Sequence, residues 1–253
     1  MLRSRIIPCL LVHKKGLVKT VNFKDSKYVG DPINAVKIFN EKEVDELIVL
    51  DIDATKEKRG PDFTLIRNLA AECRMPFCYG GGVSSVEQAR QIISLGAEKV
   101  ALSSAVINNP FLCKEIGNAV GVQSVVVVLD VRKRKLLGGY DIFTNNGKVK
   151  SKRKFKEFIV ELNHIGVGEI VVNSIDNDGK MTGYDMELVT LVRDLCDTPI
   201  TILGGAGSLD HIKKIITKFK VIGAAAGSLF VFKGKYKAVL INYPNREEKF
   251  PLY

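Results

Sequence analysis

The sequence has no C-x-x-C pair, no histidines at metal-ligand spacing, no nucleophile elbow, no Walker motif and no apolar run near the length of a bilayer span. Each absence closes a class. The five cysteines, Cys9, Cys73, Cys78, Cys113 and Cys196, are odd in number and mostly sit in apolar runs, so they read as buried thiols in a reducing compartment rather than as a disulfide framework. His13, His164 and His211 are scattered, so neither a metal nor a cofactor is expected. Without the elbow or the Walker loop, a hydrolase triad of that type and a P-loop NTPase drop out. A membrane span needs about 18 consecutive apolar residues. The first residues pass directly into a strand-like run, so no signal peptide is expected and a cytoplasmic location is.

What is present is a globular chain of 253 residues, near the roughly 250 of one complete (β/α)₈ barrel. Its net charge of +10 favours anionic partners such as phosphates. The densest basic runs, 132–135 and 148–156, read as a solvated loop and helix start. Aromatics are not interleaved there, which argues against a nucleic-acid surface.

Apolar, β-branched runs recur at 5–12, 46–53, 76–81, 99–105, 124–131, 169–176, 199–205 and 221–230. Continuous apolar runs suit strands buried on both faces of a parallel sheet. Helix signals lie between them. Asp31-Pro32 fits an N-cap followed by proline, and Ser84 with Glu87 fits a capping box. Leu188, Leu191, Val192 and Leu195 form one helical stripe, and Leu209, Ile212, Ile216 and Phe219 another. Eight strand–helix alternations without a long linker favour a single (β/α)₈ barrel over a doubly wound sheet.

The chain also echoes itself. Gly80-Gly81-Gly82-Val83-Ser84 resembles Gly204-Gly205-Ala206-Gly207-Ser208, and Leu102-Ser103-Ser104-Ala105 matches Ala226-Gly227-Ser228-Leu229. Gly81 to Gly205 and Ser104 to Ser228 are both 124 apart. This predicts one domain of two half-barrels, about 1–122 and 123–253. The one long interruption, 132–151, reads as a hairpin with an Asn-Gly turn over the catalytic face.

Barrel sites are built at the C-terminal ends of the strands. There the doubled glycine turns offer backbone amides to anions. Gly81, Gly82, Ser103 and Ser104 make one candidate phosphate site, and Gly205, Ala206, Gly227 and Ser228 the other. A ligand with a phosphate at each end would fit both. Asp130, at the end of an apolar strand, is the candidate acid or base. Asp53 reads as a helix cap or a partner for a lysine.

These residues resemble a known family, the cyclase subunit of imidazole glycerol phosphate synthase. The resemblance is carried by Arg5-Ile6-Ile7-Pro8-Cys9-Leu10, Gly16-Leu17-Val18-Lys19, Val21-Asn22-Phe23, Gly30-Asp31-Pro32, Asp45-Glu46-Leu47, Tyr79-Gly80-Gly81-Gly82, Ser174-Ile175-Asp176-Asn177-Asp178-Gly179, Gly183-Tyr184-Asp185 and Gly204-Gly205-Ala206-Gly207. It runs from residue 1 to about 232. It implies a lyase-type synthase subunit of histidine biosynthesis, paired as a heterodimer with a glutaminase. Ammonia crosses the barrel axis to a bis-phosphorylated substrate, giving imidazole glycerol phosphate and an aminoimidazole carboxamide ribotide. It implies that Asp130 is the second catalytic aspartate and that Lys19 lies in a loop closing over the substrate. Asp178 and Gly179 would line the substrate site. Arg5, Glu46, Lys99 and Glu169 would ring the ammonia entrance.

One expected residue is missing. The family's first catalytic aspartate should follow Pro8-Cys9-Leu10, where this chain has Leu11. Leucine moves no proton, and loss of an acid–base group typically costs 10²–10⁴-fold. Ser103, Asn173, Leu203 and Cys78 also depart from the family's usual residues. The chain is similar, in Pro8-Cys9-Leu10-Leu11, Leu17-Val18-Lys19-Thr20, and the stretches 27–32 and 39–45, to a paralogous branch. That branch supplies ammonia, together with a sugar amidotransferase, for amidination of surface-polysaccharide sugars of the lipopolysaccharide O-antigen type. We favour this branch over a working histidine-pathway cyclase. A non-catalytic ammonia-conducting scaffold is a third reading. The related isomerase of the pathway fits less well, since it needs two aspartates.

Overall fold

The computed structural model describes residues 3–136 and 138–252. Eight parallel strands form a closed barrel: β1 (Arg5–His13), β2 (Leu47–Asp51), β3 (Phe77–Gly80), β4 (Lys99–Leu102), β5 (Val125–Lys133), β6 (Glu169–Ser174), β7 (Ile200–Leu203) and β8 (Gly223–Ala226). Each pairs with the next, and β8 closes on β1 through Arg5–Gly223 to Pro8–Ala226. Alternation along the strands separates two cores. Ile7, Cys9, Ile48, Cys78, Ala101, Val126, Val128, Val171, Leu203 and Ala225 fill the inside of the barrel. Their neighbours in sequence face the helices.

Seven long helices pack outside among the described residues: α1 (Pro32–Glu41), α2 (Phe63–Glu72), α3 (Val86–Ser94), α4 (Leu112–Val120), α5 (Phe155–Ile165), α6 (Met186–Leu195) and α7 (Leu209–Phe219). Asp31 caps α1 by accepting from the Asn34 amide, with Pro32 at the first position. The cap of α3 is Ser85, not the expected Ser84; its side chain accepts from the Gln88 amide, and Ser84 instead binds the Gln88 side chain.

Six of the eight apolar runs are shorter as strands than the sequence implied, the fourth and the eighth for a local reason. The fourth ends at Leu102 and the eighth at Ala226, because Ser104–Asn108 and Ser228–Val231 turn into short helices. The eighth outer helix is also replaced. After Val231 come a two-residue-strand hairpin (Phe232–Lys233, Ala238–Val239), an extended strap and the short helix Arg246–Lys249. Gly234 at φ +73° turns the hairpin. Pro244 and Pro251 lack the amide a helix interior needs.

Two further hairpins cover the C-terminal mouth. One pairs Gly16–Val21 with Lys24–Gly30. The other pairs Tyr140–Thr144 with Val149–Lys154, so the basic run 148–156 is mostly strand rather than loop, and its helix starts only at Phe155. Asn146 and Gly147 both take left-handed φ, +56° and +72°, as the Asn-Gly signal required, and Asn145 before them does so too.

Candidate active site

At the N-terminal end of the barrel, strands β1, β2, β4 and β6 bring Arg5, Glu46, Lys99 and Glu169 into one closed ring. Lys99 Nζ lies 2.7 Å from Glu46 and 2.8 Å from Glu169. Arg5 bridges the same two carboxylates, with 2.7 Å to Glu169 and a short contact to Glu46. The carboxylates are buried, while the cations retain partial exposure. A buried charge without a partner is costly, so the alternation is what makes the cluster tolerable. Burial works against ionisation of Glu169, but Arg5 and Lys99 outweigh it and hold the carboxyl at about 2. Burial likewise works against both cations, and the attraction of Glu169 and Glu46 raises them in net. The sequence did not single out Thr201, which joins this layer by donating its hydroxyl to Glu169. Its place two residues before inward-facing Leu203 was the available signal.

Between ring and mouth the barrel interior is apolar apart from the thiols Cys9 and Cys78. Burial pushes the Cys9 thiol up to about 11 and Cys78 well above its usual value.

The mouth is a single cavity. Its wall contains Leu11, Lys19, Asp130, Asp178 and Gly179, together with Gly81, Gly82, Ser103 and Ser104 from one side and Gly205, Ala206, Gly227 and Ser228 from the other. The sequence-selected mouth residues therefore converge. The two echoing turns are built alike. Gly81 (φ +128°) and Gly205 (φ +110°) have backbone that an L side chain rarely adopts. A Cβ on Gly81 would strike Asp51, and one on Gly205 would strike the Gly183 carbonyl. The short helices at Ser104 and Ser228 carry no side-chain cap, so their first amides remain available at the cavity.

Asp130 accepts from Asn173 Nδ2 at 2.9 Å. Burial, aided by repulsion from Asp178, overrides that hydrogen bond and pushes Asp130 up to about 7. A carboxyl poised there can hold or release a proton near neutrality. Asn173 Oδ1 is buried with no hydrogen-bond partner among the described residues. Lys19 is buried and donates to the Cys9 carbonyl at 2.5 Å. Burial lowers its ammonium below the ordinary lysine value, with Cys9 and Asp178 opposing. Asp178 accepts from Thr20 Oγ1 at 2.7 Å and from the Phe23 amide at 3.2 Å, which ties the first hairpin down over the cavity. Burial still leaves its carboxyl above the usual range. From the opposite side Asn146 Nδ2 donates to the Ile52 carbonyl at 2.9 Å, so the second hairpin also reaches across.

Leu11 is half-buried in the cavity wall. No other carboxylate at the end of β2 or β6 substitutes for one there. Asp51 touches the cavity, but Arg59 holds it at 2.7 and 2.9 Å and the amides of Asp53 and Ala54 donate to it. Asp176 lies outside the cavity, against the Lys133 amide. Among the described residues Asp53 meets neither a lysine side chain nor a helix start: it contacts His13 Nδ1 at 2.8 Å and accepts from the Lys14 backbone amide at 2.9 Å. Among the described residues no cluster of three or more His, Cys, Asp or Glu could hold a metal, and no helix is long and apolar enough to cross a membrane.

Residues 5–237 match the family described as histidine biosynthesis protein. The chain belongs to that family. A relative from Vibrio vulnificus (strain YJ016), provisionally named imidazole glycerol phosphate synthase subunit hisF3, is 57% identical over 98% of this chain and 96% of its own. One from Leptospira interrogans, provisionally named imidazole glycerol phosphate synthase subunit HisF, is 51% identical over the whole of both chains. The imidazole glycerol phosphate synthase subunit HisF of Clostridium botulinum (strain Langeland / NCTC 10281 / Type F) is 37% identical over 98% of each. The resemblance read from the sequence is thus borne out, and the chain is a HisF-type (β/α)₈ barrel. The family match ends at residue 237, near the point where the outer helix gives way to the strap.

Proposed function

We propose that this HisF-type barrel is the synthase subunit of a glutamine-dependent pair. A glutaminase partner of the HisH kind docks against the ring of Arg5, Glu46, Lys99 and Glu169. Ammonia released there passes between the charged side chains and along the apolar interior to the mouth. The doubled glycine turns and uncapped helix starts hold a phosphorylated ligand at that end, through amides and the Ser103, Ser104 and Ser228 hydroxyls. Lys19 faces its negative charge.

The observation that carries the finer reading is Leu11. At the wall where an acid–base partner for Asp130 would stand, the cavity has a leucine, and Asp51 and Asp176 are engaged elsewhere. With Asp178 tied to the hairpin, Asp130 is, among the described residues, the one cavity-lining carboxylate without a cation or hydroxyl already on it. We therefore place the chain in a paralogous branch that conducts ammonia for amidination of a surface-polysaccharide sugar, with a sugar amidotransferase consuming the ammonia. Two relatives carry numbered names, hisF2 of Pseudomonas aeruginosa (49% identical) and hisF3 of Vibrio vulnificus (57% identical), which fits copies set apart from a housekeeping subunit.

The test is to supply the purified protein with the bis-phosphorylated cyclase substrate and a high concentration of ammonium at alkaline pH, following substrate loss by absorbance. Free ammonia bypasses the glutaminase. We expect no turnover from folded protein. Turnover within about 100-fold of an ordinary cyclase would return the chain to histidine biosynthesis.

A further inference from the structure

The seam between β1 and β2 is unusual at the level of the ring. Their ladder begins only at Cys9 and Ile48. Below it Pro8 has no amide to donate, and residues 5–8 pair with β8 instead. Yet Arg5 and Glu46, which face each other across this seam, are half of the ring. What joins the strands there is side-chain chemistry. The Asp45 carboxylate accepts from the Ile6 amide at 2.9 Å. Tyr243, from the strap, donates its hydroxyl to the Ile6 carbonyl at 2.9 Å and accepts from the Asp45 amide at 3.2 Å. Lys249 Nζ reaches Asp45 Oδ1 at 3.0 Å and the Glu43 carbonyl at 3.2 Å.

The strap is itself well seated. The Tyr243 ring lies 5.3 Å from that of Phe230, and Tyr243 and Leu252 are buried in the outer core. Lys249 Nζ lies 5.1 Å from the centre of the Tyr243 ring. Ile6 and Asp45 are the chain neighbours of Arg5 and Glu46. Tyr243 and Lys249 thus tie together the backbone segments that carry Arg5 and Glu46.

We infer that the C-terminal strap, which stands where an eighth barrel helix would lie, keeps the ring shut, with Tyr243 and Lys249 as positioning residues for Arg5 and Glu46. The inference takes from the proposed function only the idea that the ring is an entrance. Its opening can be read whether or not ammonia passes.

Three native thiols report it. Cys78 lies inside the barrel next to Lys99 on the adjoining strand, just above the ring. Cys9 lines the mouth, and Cys113 lies in the outer core. The full-length protein is treated with methyl methanethiosulfonate at alkaline pH, and labelling of each thiol is followed by peptide mass spectrometry. Tyr243→Phe and Lys249→Met should each speed labelling of Cys78 about tenfold, the effect of one or two lost hydrogen bonds on an opening equilibrium. Cys9 and Cys113 should keep their rates, and Lys249→Arg should restore that of Cys78. An unchanged Cys78 rate in both variants overturns the inference. So does a parallel rise at all three thiols, which would mean the strap merely stabilises the fold.

Discussion

Replacing Glu169 with Gln removes one of the two anions that hold the ring together. Arg5 and Lys99 each lose a partner, and Thr201 loses a charged acceptor. The drop of the Glu169 carboxyl from its ordinary 4.5 to about 2 corresponds to about 3 kcal/mol of folding free energy. Its side chain is only 4% exposed, so water screens little of this. The figure agrees with the 3–5 kcal/mol, roughly, that follows removal of one partner from a buried pair. For a chain of this size it means a fall in Tm of about 6–12 °C at neutral pH. The sign with pH is fixed. A depressed carboxyl contributes fully above its unfolded value and loses the contribution as pH falls through the folded one. The gap between wild type and Glu169→Gln should therefore stay constant from pH 7 to pH 5 and narrow below about 4.5. Urea unfolding at pH 7, 5, 4 and 3 measures it. A gap below about 1 kcal/mol at pH 7, or one that does not narrow in acid, would refute a ring held by charge.

Asp130 carries the opposite sign. Its carboxyl rises from 3.8 to about 7, so ionising it in the fold is a penalty that is absent in acid, grows between those two values and is constant above them. Asp130→Asn should stabilise the protein at pH 8 by on the order of 4 kcal/mol and by nothing at pH 4; a destabilised variant at pH 8 would show that Asp130 is held as an anion. Gly205→Ala forces a side chain into backbone at φ +110° and against Gly183, and should cost about 1–3 kcal/mol in thermal unfolding and weaken phosphate-ester binding by calorimetry; an unperturbed variant would show the turn can relax.

The barrel was legible because its strands are buried on both faces and so read as continuous apolar runs, from Val125–Lys133 at one extreme to the four-residue Gly223–Ala226 at the other. Strand ends were less legible. Leu102 and Ala226 are followed by more apolar residues, and only the uncapped helices at Ser104 and Ser228 break the run. The mouth residues could be found because glycine and aspartate at strand ends are rare enough to stand out. Arg59 could not. Its capture of Asp51 depends on how the loop 52–62 folds back, which no periodicity records. The strap was invisible for a similar reason: Tyr243 and Lys249 act on residues some two hundred positions away, through contacts set by the closed barrel.

The central claim is that the entrance is kept while the mouth has lost an acid–base group at Leu11. The most direct measurement compares wild type with Leu11→Asp in the ammonium-driven cyclase reaction, at matched folding by circular dichroism. The account predicts an inactive wild type and a variant that gains at least about 100-fold over it, since a second carboxylate would then face Asp130 across the cavity. A wild type that already turns over, with no gain or a loss from Leu11→Asp, would contradict it.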